Sequence, residues 1–135
     1  MTRKVLAPDT LLNSTQFAYS QVVVSDAGQQ IAIAGQTAWD AEGNMVGEGD
    51  VAKQAEQCLK NINLALQAAG ACRSDLIQLR VYIVNYSPAM LESLMPVFHA
   101  FWGDILPAAQ TMVGVQALAM PEFLIEIDAV AGGRK

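Results

Sequence analysis

The chain has 135 residues, of which 53% are apolar and only 16% charged, with a formal net charge of −5. About 25% charge is usual for a globular domain, so a domain this small is expected to hide part of its surface against copies of itself. The eight basic residues form no run or stripe, which disfavours nucleic acid as a partner, and no apolar run reaches the roughly 20 residues of a membrane span.

The N-terminal stretch MTRKVLAPDT is too short in its apolar part for a signal peptide. Cys58 and Cys72 form no CxxC pair, so reduced thiols and a cytoplasmic location are expected. No linker, repeat or low-complexity tract interrupts the chain, and residues 1–135 read as one domain.

In chain order, an extra strand is expected from Lys4 to Ala7. Two apolar runs follow, Gln21 to Val24 and Ile31 to Ala34, around Asp26-Ala27-Gly28, which signals a hairpin. The glycine-rich AWDAEGNMVGEGD is a loop, and its last residue, Asp50, is a candidate helix N-cap. Val51, Ala55, Cys58, Leu59, Ile62, Leu66 and Ala69 then fall at helical spacing, and Gly70 stops the run. DLIQLRVYIVN alternates and is rich in branched residues, so it is a strand. Ser87, as N-cap, and Pro88 open a second helix that reaches Trp102 and ends at Gly103, with a kink or split expected at Pro96. The last two strands, TMVGVQALA and FLIEIDAVA, are joined by a short turn at Met120-Pro121-Glu122.

This order predicts an α+β fold, a mixed six-stranded sheet with two helices packed on one face. Both alternating sets of TMVGVQALA are mostly apolar, so the face without helices is expected to meet partner subunits. Alternation places Arg80, Tyr82, Glu126 and Asp128 on that helix-free face, opposite Ile77, Leu79, Val81, Ile83 and the Phe123–Ile125–Ile127–Ala129 series. Such charges should be paired, and Arg80 is expected to pair with Asp128 or Glu126, with Asp128 favoured. Glu126 is the stronger candidate for moving protons, as a carboxylate beside apolar neighbours. His99 has no adjacent ligand pattern and reads as a surface or groove residue; the several nitrogen or sulfur ligands of a zinc site are lacking. The glycines follow neither phosphate-loop pattern, and no GxSxG elbow is present.

The ordered segments YSQVVV, IAIAGQT, AAGACRSDLIQLRVYIVN, TMVGV and LIEIDAVA resemble the RidA (YjgF-type, reactive intermediate deaminase) family, over Tyr19 to Ala131. The resemblance implies a chorismate-mutase-like fold and a homotrimer with a central barrel, helices outside, and small-molecule clefts at the subunit interfaces. It further implies hydrolysis there of reactive enamines and imines to keto acids and ammonia, with no metal or organic cofactor. Tyr19 corresponds to the family's cleft tyrosine and Glu126 to the carboxylate that positions water. Gly35 corresponds to a glycine that lets backbone amides approach a ligand. Ala34 replaces a serine, Met95 an asparagine and Met112 a cysteine. Just before Thr111, Gln110 stands where the family places the arginine that grips a substrate carboxylate.

An arginine grips a carboxylate with two charge-assisted bonds; a glutamine offers a neutral one. The difference is about 1–2 kcal/mol, roughly tenfold in affinity. Two readings follow. One is a deaminase-like hydrolase for a substrate without a free carboxylate, with Glu126 activating water and Gln110 orienting the substrate. The other is a non-catalytic trimer that binds a neutral or aromatic metabolite or assists a pathway enzyme. Arg80 is a further candidate for supplying the missing positive charge. Endoribonuclease activity, a role assigned to some relatives, is disfavoured by the acidic balance.

Overall fold

A computed structural model describes residues 3–133. Six strands and two α-helices are present: β1 (Arg3–Leu6), β2 (Val22–Ser25), β3 (Gln29–Gln36), α1 (Val51–Ala68), β4 (Leu76–Val84), α2 (Leu91–Trp102), β5 (Ala109–Val115) and β6 (Ile125–Gly133). The fold is α+β, as the element order implied. The six strands, however, form two sheets. β1 and β2 pair as a two-stranded ribbon, and the other four form a mixed sheet in the order β3-β6-β4-β5.

That order corrects two expectations. The runs on either side of Asp26-Ala27-Gly28 do not pair with each other. β2 pairs antiparallel with β1, and β3 pairs antiparallel with β6. The turn residues therefore carry the chain from one sheet to the other. β5 and β6 are likewise not hairpin partners, because β4 lies between them. β4 runs parallel to β5 and antiparallel to β6. The turn expected at Met120-Pro121-Glu122 is present, closed by the Phe123 amide donating to the Met120 carbonyl at 3.1 Å, but it lies within a longer connection, residues 116–124, that carries the chain past β4.

Helix α1 begins where its spacing predicted. Asp50 is extended and its side chain accepts a hydrogen bond from the Lys53 amide at 3.1 Å, which satisfies one orphan donor of the first turn. Gly70, at φ +72°, ends the helical region in a conformation that glycine adopts at little cost. Ala69 is the C-cap and is exposed, so it lies outside the buried stripe. The second helix departs from expectation at its start. Ser87 makes no side-chain cap, Pro88–Met90 form a 3-10 turn, and α2 proper begins at Leu91. It then runs through Pro96 without splitting, and Gly103 closes it.

Both helices pack on one face of the four-stranded sheet. Cys58, Ile62 and Leu66 of α1 and Leu94 and Phe98 of α2 meet Leu79, Val81 and Ile83 of β4 and Ile125, Ile127 and Ala129 of β6 in a single buried cluster. The alternation read from the sequence holds for β6 and for most of β4. At the start of β4 a register shift between Leu76 and Gln78 turns Leu76 into the core in place of Ile77, which is only half-buried. On the opposite face Arg80 is cross-strand partner to Asp128 and Tyr82 to Glu126.

Gln54 is a core residue that the apolar spacing passes over. It is fully buried on α1. Its Nε2 donates to the carbonyls of Gly47 (3.1 Å) and Glu122 (3.2 Å), and its Oε1 accepts from the Leu124 amide (2.9 Å). One side chain therefore ties α1 to the loop before it and to the segment that enters β6.

Candidate functional site

A cleft of about 370 Å³ opens at the start of β5. Tyr19, Met95, Gln110 and Met112, four residues singled out in the sequence, line it together. Phe17, Tyr86 and Leu91 complete the wall, and sequence reasoning missed all three. No lining residue carries a charge.

The chain holds these residues together by specific backbone ties. Ser20 bridges to Ala109, its amide donates to the Ala108 carbonyl at 2.9 Å, and its hydroxyl donates to the Pro107 carbonyl at 2.5 Å. Tyr19 is therefore anchored beside the strand that carries Gln110. The Ser14 hydroxyl donates to the Tyr19 carbonyl at 2.7 Å, which closes the loop beneath it. Asn85 takes a positive φ of 53° after β4, a conformation asparagine tolerates better than most residues. Tyr86 then folds over Gly114, where an added Cβ would meet the Tyr86 Cβ at 3.0 Å. His99 Nε2 lies 3.1 Å from the Gln16 carbonyl. The single histidine thus links α2, which supplies Leu91 and Met95, to the 3-10 turn Thr15–Phe17 on the other rim.

Gln110 itself is half-buried, and its Oε1 is buried with no hydrogen-bond partner among the described residues. A buried carbonyl left unpaired costs on the order of 1–3 kcal/mol.

Glu126 is elsewhere. Strand alternation places Gln110 and Met112 on the helix-covered face, in register with Leu79 and Val81. Glu126, paired with Tyr82, lies on the helix-free face. There the Glu126 carboxylate rests against Gly35. A Cβ added to Gly35 would sit 2.0 Å from Glu126 Oε2 and 2.7 Å from its Cδ. The absent side chain of Gly35 is what makes room for the carboxylate, at an irregular step in the pairing of β3 with β6 between Ile33 and Gln36. Ala34 is exposed at that step, and its carbonyl accepts from the Gln36 side chain. Thr111 is exposed on the same helix-free face. Within one chain, then, Ala34, Gly35, Thr111 and Glu126 are separated from the Gln110 cleft by the sheet.

Arg80 and Asp128 form the expected pair, Nε to Oδ1 at 2.9 Å, and the Tyr82 hydroxyl donates to Asp128 Oδ2 at 3.0 Å. Both Asp128 oxygens are engaged on that face. The bond to Asp128 holds the Arg80 guanidinium above its ordinary pKa, and removal from solvent followed by the Asp128 bond raises the Tyr82 phenol. Cys58 lies under the sheet, with Sγ 3.7 Å from the Ile125 carbonyl. Burial, then the nearby Glu126 charge, pushes its thiol up to about 12.

Among the described residues no helix is long and apolar enough to cross a membrane, and no group of three or more His, Cys, Asp or Glu side chains is arranged to hold a metal ion.

Comparison with known proteins gives a consistent result. Residues 12–132 match the family model described as Endoribonuclease L-PSP. A RutC family protein of Pyrococcus horikoshii is 33% identical over 114 residues, which are 84% of this chain and 85% of that one. The 2-iminobutanoate/2-iminopropanoate deaminase of Rattus norvegicus is 30% identical over 115 residues, 84% of this chain and 79% of that one. Among solved structures, the Yersinia pestis protein YyfB, described as a protein of unknown function of the conserved Rid family, is 44% identical. Its TM-score is 0.94, with 98% of this chain and 99% of that one covered. The ordered segments, the α+β architecture and these relatives together establish that the chain belongs to the RidA (YjgF, L-PSP) family.

Proposed function

We propose that the protein is a hydrolytic deaminase of small enamines, imines or related amines that lack a free carboxylate, acting as a homotrimer at clefts between subunits. The observation that carries this reading is the division of the site residues between two faces of one sheet. The Gln110 cleft has a ligand-sized cavity but no carboxylate, histidine or lysine among its lining residues. The Glu126 carboxylate has a fitted seat on Gly35 but lies on the other face. A neighbouring copy that packs its helix-free face near the cleft would bring the two halves together. The low charge of the chain supports such packing, as do exposed Val113 and Thr111 on β5.

At the assembled cleft the neighbour's Glu126 takes a proton from water as the oxygen attacks the C=N carbon. The imine nitrogen takes up that proton to give a neutral carbinolamine; Glu126 then accepts the carbinolamine hydroxyl proton and passes it to the nitrogen, so that the C–N bond breaks as the C=O bond forms and ammonia leaves. Water supplies the oxygen, so the balance is imine plus water to carbonyl plus ammonia. Glu126 acts as general base and then general acid, and Gln110 orients the substrate. The kinship with deaminase-named relatives at about 30% identity is consistent with this chemistry.

The test uses an imine generated in situ from benzylamine by an amine oxidase, with ammonia release followed for wild type and Glu126→Gln. The expected result is acceleration by wild type over buffer and its loss in the variant. Equal rates for the two proteins would sink the catalytic reading. The uncharged wall of the cleft favours one second reading, a non-catalytic trimer that binds a neutral metabolite or assists a pathway enzyme. Thermal stabilisation by ligands without turnover would establish it. Ribonuclease action, which the family model's description names, fits a chain of net charge −5 poorly, because RNA phosphates call for clustered cations.

A further inference from the structure

We infer that the cleft selects neutral molecules with an amide-like edge, an N–H donor beside a carbonyl or imino acceptor, carried on an apolar or aromatic body. This rests on taking the cleft as the ligand site, as above, and it specifies the chemistry of what enters.

The first argument is the unpartnered acceptor. Gln110 Oε1 is buried and accepts nothing among the described residues. Buried acceptors are almost always paired, and Gln110 lines the cleft, so an occupant that brings an N–H supplies the partner the described residues lack. A carboxylate brings none, and the most it can take from Gln110 is a neutral bond from the amide N–H. A glutamine amide also carries N–H donors beside its carbonyl. A ligand edge with a donor next to an acceptor therefore matches both ends of the group, whichever way the amide is turned.

The second argument is charge. No lining residue of the chain is ionic, so a bound carboxylate would lose water and gain no counter-charge from the cleft wall, while the neighbour's Glu126 proposed to meet it would repel it. Arg80 does not supply one within the chain. It stands on the opposite face, and its Nε is committed to Asp128 at 2.9 Å.

The third argument is the rest of the wall. Phe17, Tyr19 and Tyr86 present rings, and Met95 and Met112 present thioethers. Rings and thioether sulfurs are favourable neighbours for an aromatic body. The volume, about 370 Å³, suits one small ring compound. In a neutral imine or enamine, the N–H would face Gln110 while the carbon skeleton meets the sulfurs and rings.

The test compares phenylacetamide with phenylacetate, which match in shape and differ only in the group offered to Gln110. Equilibrium binding is measured on the intact assembled protein. Wild type is expected to bind the amide at least about tenfold more tightly. Gln110→Met should abolish that preference, and Gln110→Arg should reverse it in favour of phenylacetate. Equal or better binding of phenylacetate by wild type overturns the inference. So does an unchanged preference in Gln110→Met, or binding of neither probe at its solubility limit. Glu126→Gln separates this from the catalytic proposal. An amide preference retained in wild type and in Glu126→Gln, with no turnover by either, removes the deaminase reading alone. Turnover by wild type without an amide preference removes this inference alone.

Discussion

Gly35→Ala separates the seat of Glu126 from the stability of the fold. The added methyl would lie 2.0 Å from Glu126 Oε2, 2.7 Å from Cδ and 3.0 Å from Cγ. Ordinary contact requires about 3.5 Å, so the carboxylate must retreat by more than about 1 Å. Gly35 does not have a positive φ, and alanine fits its backbone without strain. The atoms met are the end of a flexible, half-buried side chain, so the fold can absorb the change. Loss of glycine's freedom in the unfolded chain even offsets it by about 0.4–1 kcal/mol. Thermal stability should therefore stay within about 1 kcal/mol of wild type. Catalysis should not. A displacement near 1 Å of a reacting group costs on the order of 10²-fold, and ammonia release from the benzylamine-derived imine should fall by that factor. The paired assay is a melting curve and an ammonia time course. A variant that melts like wild type and turns over like wild type would refute the reasoning, because the seat would then not matter. A variant that unfolds would show that Gly35 serves packing.

Gln54→Leu keeps the shape of the side chain but leaves the Gly47 and Glu122 carbonyls and the Leu124 amide without their partner; unfolding free energy should fall by about 2–4 kcal/mol in a urea titration, and a loss below about 0.5 kcal/mol would mean that water replaces the bonds. Cys58 should make the fold sensitive to alkali. Its thiol is held near 12 against 9.0 when unfolded, so its contribution is complete below about pH 9 and is lost as pH rises towards 12. The loss is on the order of 4 kcal/mol over that window, and Cys58→Ala should flatten the alkaline limb of the stability curve. Arg80→Met should leave ligand affinity unchanged while reducing the stability of the assembly; loss of affinity with assembly intact would instead place Arg80 at the ligand.

The elements were legible wherever a local signal sufficed. Helix α1 follows from spacing, the Asp50 cap and Gly70, all read within a few turns of chain. Strand alternation puts Arg80, Glu126 and Asp128 on one face, where charges need partners, but the register of β4 with β6 is what gives Arg80 to Asp128. Strand partners were not legible. An apolar run with Asp26-Ala27-Gly28 after it specifies a strand and a reversal, but not whether the next strand pairs with it, and here β1 takes that place. The step that buries Leu76 in place of Ile77 breaks the period of two, on which the reading of faces depends. Gln54 was passed over because its neighbours Gly47, Glu122 and Leu124 are gathered only by the fold. Yet a polar residue three positions after Val51, on the apolar stripe, was a signal available in the sequence. At the site, Tyr19, Met95, Gln110 and Met112 came through resemblance. Phe17, Leu91 and Tyr86 carry no motif and needed the cleft to be seen.

The same period of two decides how the site can work. Gln110 and Met112 must share one face of β5, and Thr111 and Val113 the other. The registers of β5 with β4 and of β4 with β6 then put Glu126 in the row of Tyr82 and Val113, beneath the sheet from the cleft. No side-chain rotation moves a carboxylate through three hydrogen-bonded strands. If Glu126 activates water for a ligand held at Gln110, the two must come from different copies, and an isolated chain must be inactive however well folded. The uncharged cleft gains from this arrangement. A charged acid or base beside Gln110 within each chain would have to be desolvated in every folding event, whereas a carboxylate supplied by a neighbour meets the cleft only on assembly. Under that proposal catalytic power and oligomerisation rise together, and a neutral Gln110 in place of a cation sets which molecules are held while the base that would act on them stands on another copy.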